Sequence, residues 1–290
     1  MTLAVRDGAD LVRQNMNFHL ARGIDHVVAI DNGSVDGTRD ILGDYEKLGV
    51  ATVIDEPSRK LDIATWVTNA AKLARDRLGA DWVLCNDIDE FWMCPSGTIK
   101  DRLASTDADV LVCQRKNMVY AYDEEEETHF YERMIYRIDR PLPVPVLNNF
   151  YEDPLPAPYF YLALPPKILV KTQGLSSVAM GNHSATFDQK AKQVPSDIIV
   201  YHFPVRSVAQ FEQKVVHGGE ARERDKSLPK STSWHWRRWY RLFREHGPGV
   251  AIADALPSAQ RLARDIASGV VVEDRSLVEP LTSASKSGQA

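Results

Sequence analysis

Residues 82–92 read WVLCNDIDEFW, an apolar run that ends in three carboxylates within four positions. The apolar part predicts a short strand buried on both faces of a sheet. Asp87 and Asp89 are two positions apart, so a continuing extended backbone would send both side chains from the same side. Two such carboxylates repel each other unless a cation lies between them, and hard oxygen donors suit Mg²⁺ or Mn²⁺. The stretch therefore predicts a metal-binding strand end, although Asp-x-Asp also occurs in many surface turns.

The residues upstream alternate between strand and helix patterns. Short apolar runs predict strands at 2–5, 26–30 and 50–54, and apolar residues at helical spacing predict helices around 11–24, 41–48 and 66–77. This alternation indicates a parallel sheet with right-handed crossovers. Ligands of such sheets bind beyond the C-terminal ends of the strands. Asp31 and Asp87 both follow strands, so we expect them to converge on one site.

The pattern predicts an α/β fold with a mostly parallel sheet flanked by helices and a C-terminal helical extension. Further strand signals occur at 167–170, 177–180 and 198–201, which gives a first domain over residues 1–205. Its proline-rich segment at about 115–165 is interpreted as an irregular insertion over the site without a core of its own. Residues 206–275 form the helical extension, with one last helix at 250–268. The serine-rich residues 276–290 are predicted to be a disordered tail.

Composition narrows the class of protein. The 290 residues carry a net charge of −5, which is ordinary for a soluble globular protein and disfavours nucleic acid as a partner. No apolar run approaches the ~18 residues of a membrane span, and no signal peptide is recognisable. The three cysteines have no disulfide framework or zinc-site spacing, so reduced thiols in the cytoplasm are expected.

A second specific stretch, DNGSVDGT at residues 31–38, follows the second predicted strand. Gly33 and Gly37 permit the positive φ angles or the close backbone approach that a turn against a ligand requires. Asp31, at the end of the strand, could accept a hydrogen bond from a base or a ribose. Residues 36–38 are interpreted as turn and cap residues at the start of the next helix.

The two stretches together, AIDNGSVDGT at 29–38 and WVLCNDIDEF at 82–91, resemble the motifs of family-2-like glycosyltransferases of the GT-A (Rossmann-like) fold. In that family the first motif often reads D-[DN]-G-S-x-D-G-T and the second D-x-D-E-F. Val5–Arg6–Asp7 is similar to a segment in the opening strand of one branch of the family. The resemblance covers about the first 115 residues well and the remainder loosely. It departs from the family in the short first strand.

The resemblance implies a nucleotide-sugar donor held across the strand ends with a divalent cofactor, Mn²⁺ or Mg²⁺. By position, Val5, Arg6 and Asp31 would line the pocket for the base. Asp87 would lie near the ribose and the metal, and Asp89 would bind the metal that bridges the diphosphate. A nucleoside diphosphate is a poor leaving group unless its developing charge is neutralised, which a divalent ion does.

One more metal ligand from the C-terminal half is expected, and two histidines compete for this role. His183 lies in GNHS at 181–184 and His202 in YHFP at 201–204, each after a predicted strand. The family reading favours His183 over His202, and both remain candidates.

The carboxylate that would activate the acceptor hydroxyl is the least determined residue. An inverting transferase needs such a base close to the acceptor. The candidates are Glu90, Glu132, Glu152 and Asp153, and we select Asp153 in YEDP at 151–154. The alternative is that Asp153 only starts a turn before Pro154.

An aromatic and basic helix is predicted near residues 234–243. It could pack on the protein core, bind a glycan or lipid-linked acceptor, or lie on an anionic membrane surface as a peripheral element at the inner face of the membrane. The residues that carry this pattern are Trp234, Trp236, Arg237, Arg238, Trp239 and Arg241.

The sequence therefore predicts a metal-dependent glycosyltransferase of polysaccharide biosynthesis that uses a UDP-linked or related donor and a hydroxyl acceptor. A sugar nucleotidyltransferase is one alternative, but such an enzyme usually needs a glycine-rich basic loop after the first strand. Residues 5–10 offer one arginine and two carboxylates there. A non-catalytic nucleotide- or carbohydrate-binding relic is the other alternative, which the intact Asp87 and Asp89 disfavour.

Overall fold

The computed structural model describes residues 1–58, 62–124, 128–224, 229 and 231–286. The strands are β1 (Thr2–Val5), β2 (Val27–Asp31), β3 (Ala51–Asp55), β4 (Trp82–Asp87), β5 (Glu90–Met93), β6 (Val110–Val119), β7 (Tyr136–Ile138), β8 (Lys167–Lys171), β9 (Leu175–Val178), β10 (Ala185–Phe187), β11 (Gln193–His202) and β12 (Val271–Glu273). The helices are α1 (Val12–Leu20), α2 (Thr38–Lys47), α3 (Ile63–Leu78), α4 (Ile99–Ala104), α5 (Phe130–Arg133), α6 (Val208–Arg224), α7 (Trp234–His246), α8 (Pro248–Ala255), α9 (Ala259–Ala267) and α10 (Val278–Lys286). None of the helices within these ranges is long and apolar enough to cross a bilayer.

The chain divides into two compact units. The first comprises Met1–Arg115, Pro165–His202 and Glu279–Ala290, and the second comprises Lys116–Leu164 and Phe203–Val278. The proline-rich insertion and the C-terminal helices therefore belong to the same unit. This division differs from the predicted one, in which the insertion at about 115–165 belonged to the first domain and had no core of its own.

The first unit is an α/β structure around a central sheet. Strands β3, β2, β1 and β4 are neighbours in that order and run parallel, and β8 and then β6 continue the sheet in antiparallel pairs. The β5 strand pairs antiparallel with β11. Helices flank the sheet because its strands are apolar on both faces: Leu3, Ala29 and Leu84 pack in one core cluster, and Val28 and Val83 pack in the other. The predicted α/β class, with its flanking and C-terminal helices, is confirmed, but the sheet is mixed and not mostly parallel as predicted, because β8, β6, β5 and β11 form antiparallel pairs.

The acidic stretch leaves the sheet in a tight turn. The β4 strand ends at Asp87, and Ile88 and Asp89 form the turn that leads into β5. The prediction that Asp87 and Asp89 leave the same side of one extended strand is therefore wrong. The turn sends the two carboxylates to different partners, as described below.

The predicted disordered tail is wrong for residues 278–286, which form α10. The Gln14 and Asn17 side chains on α1 donate hydrogen bonds to the carbonyls of Leu281 (3.0 Å) and Ala284 (2.8 Å). Leu281 is fully buried. Its burial and these bonds outweigh the serine-rich composition that suggested disorder. Residues 287–290 lie outside the described residues.

The second unit has an aromatic core of its own. A 3₁₀ turn at Tyr159–Tyr161 contributes three buried rings, and Tyr159 and Phe211 each contact Trp239 of α7. Arg238 of α7 is 6% exposed and donates to Asp254, 2.8 Å from Nη2. The aromatic and basic helix therefore packs on the core of this unit, which was one of its three predicted roles.

The single last helix predicted at 250–268 is wrong, because the chain forms two helices there. The α8 helix ends at Ala255, and Ser258 accepts a hydrogen bond from the Arg261 amide (3.3 Å) as the N-cap of α9. Pro257 stands between them, and the residue before a proline is disfavoured in helical conformation. Apolar residues continue at helical spacing across this break, so the pattern predicted one helix.

A glycine in α6 makes the packing of the second unit sensitive to one methyl group. A Cβ atom at Gly219 would lie 2.3 Å from the Cβ of Tyr240 on α7. We expect Gly219→Ala to lower the free energy of unfolding by about 1–3 kcal/mol, because the helices have to move apart. Urea unfolding followed by circular dichroism measures this change.

The control is the same substitution at Gly43 in α2, where a Cβ would meet only the Arg39 guanidinium at 3.4 Å. There alanine is expected to raise stability by up to about 1 kcal/mol, because it favours helix more than glycine does. A Gly219→Ala protein as stable as Gly43→Ala would contradict the close α6–α7 packing.

Candidate active site

The predicted site residues of the first unit meet at the C-terminal edge of its parallel strands. Asp31 is paired with Val5 in the sheet register, and Asp87 is paired with Ala4. The two aspartates therefore flank β1, with Cα atoms about 10 Å apart across two strand spacings. Because Val5 and Ala4 point to alternate faces, the register assigns the aspartates to alternate faces. A ligand that contacts both has to run across the sheet edge.

The loops after β1 and β2 are bound to each other by the side chains of the DNGSVDGT stretch. The Ser34 hydroxyl accepts from the Asp7 amide (3.0 Å), Asp36 from the Ala9 amide (2.9 Å), and Thr38 from the Gly8 amide (2.8 Å). Asp36 also accepts from the Thr38 amide (3.0 Å), which forms the predicted turn. Gly37 is the N-cap of α2, within the predicted residues 36–38, and because it has no side chain the first amide of the helix is bonded by Asp36. These residues fix the loop geometry around Asp31.

Asp31 itself is buried and only partly hydrogen-bonded. Its Oδ2 accepts from the Ser34 amide (3.1 Å), whereas Oδ1 accepts no hydrogen bond from the described residues. A buried acceptor without a partner costs ~1–3 kcal/mol, which a donor on a ligand would recover. This arrangement fits the predicted contact with an N–H group of a base.

Val5 and Arg6, also predicted to line the base pocket, differ in exposure. The Val5 side chain packs in the core, and its carbonyl accepts from the Asn32 amide (2.9 Å). Val5 can therefore line the predicted pocket only with its backbone, and that role stays a prediction. The Arg6 side chain is about half exposed, with Nε 3.6 Å from Asp7.

Asp87 is held by two donors of the protein. Its Oδ2 forms an ion pair with the ammonium of Lys167, which is 1% exposed, and its Oδ1 accepts from the Asn182 amide group (3.1 Å). The carboxylate nevertheless remains 40% exposed. Asn182 adopts a left-handed conformation (φ 60°) in the hairpin between β9 and β10, a conformation that asparagine tolerates better than most residues.

Glu90 lies beneath this pair and is fully buried. Its Oε1 is 3.1 Å from the Lys167 ammonium and 3.6 Å from the Arg115 guanidinium. Burial raises the pKa of Glu90 to about 7, against the opposing effect of Lys167. The candidacy of Glu90 as acceptor-activating base is therefore wrong, since a base has to reach the acceptor hydroxyl.

Asp89 lies beside His202, with 3.8 Å between Oδ1 and Nε2. The contact follows from strand pairing, because His202 is the last residue of β11 and pairs with Glu90 of β5. Both side chains are 12–13% exposed. A carboxylate and an imidazole at this separation are suitable donors for one divalent cation.

His183 has a different environment. Its Nδ1 lies 2.8 Å from the Pro166 carbonyl, so Nδ1 carries the proton and Nε2 is the acceptor. Burial, together with the charge of Lys167, lowers the pKa of His183 to about 4. The neutral imidazole keeps a lone pair, but the nearby ammonium opposes a second cation. Both histidines remain predicted ligands, and His202 is the one that contacts a predicted ligand carboxylate.

The four predicted metal ligands are not gathered into one cluster. Across the described ranges, no three His, Cys, Asp or Glu side chains are arranged to hold a metal ion. Asp87 bonds Lys167 and Asn182, and its role as a metal ligand stays a prediction. Asp89 and His202 remain as a pair. Two protein donors suffice where a substrate diphosphate and water supply the others, as is usual for Mg²⁺, so the residues fit such an ion.

A buried polar network anchors the acidic turn from below. The Asn15 side chain on α1 donates to the carbonyls of Ile88 (2.8 Å) and Glu90 (3.0 Å) and accepts from Asn86 (3.0 Å). Asn86 in turn accepts from the Trp92 indole (2.9 Å). Sequence reasoning missed this network; its one local signal is the pair of polar residues Asn15 and His19, one helical turn apart on a buried helix face.

His19 completes the network as a neutral imidazole. Its Nδ1 donates to the Asn15 carbonyl (2.8 Å), and its Nε2 accepts from the Trp92 amide (3.3 Å). Burial lowers the pKa of His19 to about 3. Both ring nitrogens therefore have the partners that the neutral form requires.

This histidine makes stability depend on acidity. In the unfolded chain His19 binds a proton below pH ~6.5, whereas in the folded chain it does so only below about pH 3. The contribution of His19 to the free energy of unfolding is complete above pH ~6.5 and is lost as the pH falls toward 3. Between pH 7.5 and pH 5 the loss is about 2 kcal/mol. Urea unfolding of wild type and His19→Gln over this range measures the difference. The variant should show the shallower pH dependence; equal slopes would contradict a neutral buried His19.

The remaining base candidates belong to the second unit. Asp153 accepts from the amides of Asn148 (2.8 Å) and Asn149 (3.1 Å), both at Oδ2, so it closes the turn before it, whereas the alternative interpretation had it start a turn before Pro154. Glu152 is exposed and forms an ion pair with Arg241 (3.0 Å). Glu132 is exposed on α5. Both of these hydrogen bonds end at Oδ2 of the half-buried Asp153, and neither involves Oδ1.

Comparison with known proteins gives likenesses only at the level of solved structures. No protein-family model matches the chain, and no curated protein sequence matches it. TarS residues 1–349 from S. aureus, solved in complex with UDP-GlcNAc, is 14% identical over 84% of this chain and 72% of that chain, with a TM-score of 0.40.

Two further structures show the same level of likeness. The mannosyltransferase PcManGT from Pyrobaculum calidifontis, in complex with GDP-Man and Mn²⁺, is 15% identical over 98% of this chain and 84% of its own, with a TM-score of 0.40. HddC from Yersinia pseudotuberculosis is 10% identical over 73% of this chain and 96% of its own, with a TM-score of 0.36. These likenesses are too distant to assign an activity, which has to rest on the residues of the site.

Proposed function

We propose that this chain is a GT-A-type glycosyltransferase that moves a sugar from a nucleoside diphosphate sugar to a hydroxyl acceptor. The observation that carries the proposal is the set of carboxylates at one sheet edge: Asp31 with an unsatisfied oxygen, Asp87 held open to solvent, and Asp89 beside His202. A nucleotide is the kind of extended ligand that could span these groups across the strand ends. The motif resemblance of residues 29–38 and 82–91 supports the same function.

Each group has a chemical task in this proposal. Asp31 accepts a hydrogen bond from the base, and Asp87 accepts hydrogen bonds from the ribose hydroxyls. Asp89 and His202 would hold Mn²⁺ or Mg²⁺, which supplies the positive charge that a departing diphosphate requires. Arg6, half exposed at the end of β1, is available to the base or the phosphates. A UDP-linked donor is the first candidate.

The acceptor side of the proposal is less specified. Asp153 is the proposed base that removes the acceptor proton, with Glu132 and Glu152 as alternatives. A glycan or a lipid-linked sugar is the proposed acceptor class, and peripheral attachment to a membrane would accompany the lipid-linked case. Asp153→Asn should lower turnover without changing nucleotide binding if Asp153 is the base. Unchanged turnover would remove it.

The test is to identify what the chain releases from activated sugars. Wild type is incubated with UDP- and GDP-sugars, Mn²⁺ and a panel of glycan acceptors, and separately with nucleoside triphosphates and sugar 1-phosphates. A glycosyltransferase releases the nucleoside diphosphate in the first reaction. Pyrophosphate in the second would identify a nucleotidyltransferase instead, and nucleotide binding with no product in either would favour the binding relic.

A further inference from the structure

A buried lysine divides the acidic stretch into two functional parts. Lys167, the first residue of β8, is almost completely buried and contacts both Asp87 and Glu90. Arg115 contacts Glu90 from β6. Asp87 and Glu90 thus share two cations within this cluster, although the stretch itself carries three carboxylates in four positions.

The position of Lys167 follows from the sheet. The β8 strand pairs antiparallel with β4, with Val83 opposite Val170 and Leu84 opposite Leu169. Two residues further along this register, Lys167 comes next to the end of β4, where the acidic turn begins. On its other side it pairs with Cys113 of β6. The backbone, not a flexible loop, therefore places its ammonium at Asp87.

The charge of this lysine is maintained in spite of burial. Burial opposes the ammonium form, but the carboxylates of Asp87 and Glu90 outweigh it and raise the pKa of Lys167. The Lys167 ammonium lies between two carboxylates and reduces the repulsion between them. A divalent ion in the same place would have the same effect.

The second carboxylate oxygen of Asp87, Oδ1, also accepts a hydrogen bond from the protein. Asn182 donates to Oδ1 (3.1 Å) from a side chain that is itself 1% exposed. With Lys167 on Oδ2 and Asn182 on Oδ1, the carboxylate has a fixed orientation and still exposes 40% of its side chain. A carboxylate held in this way is preorganised for hydroxyl donors on a ligand.

We propose that Lys167 is a positioning residue that acts as a built-in cation: it reserves Asp87 for the ribose hydroxyls and leaves Asp89 and His202 as the protein donors for a divalent ion. The part of the inference that assigns Asp87 to the ribose rests on the proposed function. The part that concerns the effect of Lys167 on Mn²⁺ binding does not. It predicts that removal of the lysine turns Asp87 into a metal ligand.

The experiment titrates the full chain with Mn²⁺ alone, followed by calorimetry or by the electron paramagnetic resonance of the free ion. In Lys167→Met, Mn²⁺ should bind about tenfold or more tightly than in wild type, because a positive charge next to the new ligand is removed. The gain should disappear when Asp87→Asn is added. Asp87→Asn alone removes a nearby negative charge but no ligand, so it should weaken Mn²⁺ binding by about threefold at most.

Two further proteins keep the test decisive. Lys167→Met with Glu90→Gln avoids an uncompensated buried charge, and its folding is checked by thermal melting; it should show the same Asp87-dependent gain. Lys171→Met removes a partly exposed lysine of the same strand, 3.7 Å from Asp109, and should leave Mn²⁺ binding unchanged. No gain in either Lys167 variant, or a loss of wild-type Mn²⁺ affinity of about tenfold or more in Asp87→Asn, would overturn the proposal.

A UDP titration separates this inference from the proposed function. If both hold, Lys167→Met with Glu90→Gln binds UDP about tenfold more weakly than wild type, because Asp87 loses its orientation. If wild type binds neither UDP nor GDP, the proposed nucleotide site fails, yet the Asp87-dependent Mn²⁺ gain persists. UDP binding by wild type together with no Mn²⁺ gain would overturn the role of Lys167 alone.

Discussion

Replacing Asp89 with alanine is expected to lower kcat/KM for nucleotide-sugar turnover by at least about 100-fold, because preorganised charge at a leaving group commonly contributes that much. Asp89 is the carboxylate next to His202, 3.8 Å from its Nε2. Without it, His202 is the single remaining member of the pair, and the charge on the departing diphosphate is poorly neutralised. Initial rates of nucleoside diphosphate release measure the effect.

The matched control is Asp55→Ala. Asp55 also stands at the C-terminal end of a parallel strand, but its side chain is 66% exposed and pairs with Arg39 on the surface (2.5 Å). Its loss should change kcat/KM less than about twofold, because an exposed ion pair with Arg39 adds little to stability and neutralises no charge on the departing diphosphate. Equal rates in Asp89→Ala and Asp55→Ala would remove Asp89 from the active site.

The second large effect is expected from Asn15→Leu, a nearly isosteric change beneath the acidic turn. It removes three buried hydrogen bonds, to the Ile88 and Glu90 carbonyls and from Asn86. Since each buried group left unsatisfied costs ~1–3 kcal/mol, the free energy of unfolding should fall by about 3 kcal/mol or more. The turn also loses its anchor, so UDP affinity should fall about tenfold in the protein that remains folded.

Asn17→Leu on the same helix is the comparison. Asn17 is partly buried and bonds Tyr45 (2.6 Å) and the Ala284 carbonyl (2.8 Å), away from the acidic turn. It should lower stability but leave UDP affinity unchanged. Urea unfolding and calorimetry measure the two quantities separately. A stable Asn15→Leu protein with unchanged UDP affinity would show that the network does not support the turn.

The sheet of the first unit could be predicted because its signals are local. Strands β1 to β4 and the helices between them each carry an apolar pattern at their own period, and the predicted order is the observed one. Asp31 and Asp87 follow from that order, since parallel strands share one C-terminal edge. The pattern fails at Ile88–Asp89, where a tight turn replaces the expected continuation of the strand.

The rest of the site depends on contacts between residues far apart in sequence. Lys167 reads as the polar start of an apolar strand, and its partner Asp87 is 80 positions away. Only the antiparallel register of β4 with β8 brings them together. The core of the second unit is similar: the Tyr159 and Trp239 rings come from two segments that no local pattern connects. In the same way, only the pairing of β11 with β5 brings His202 next to Asp89.

The measurement that tests the central claim most directly is a calorimetric titration of UDP and then GDP, each with and without Mn²⁺, against wild type and Asp89→Ala. The account predicts that wild type binds one of these nucleotides in a Mn²⁺-dependent manner and that Asp89→Ala loses this binding. Wild type that binds neither nucleotide under any condition would contradict the account and leave only the fold.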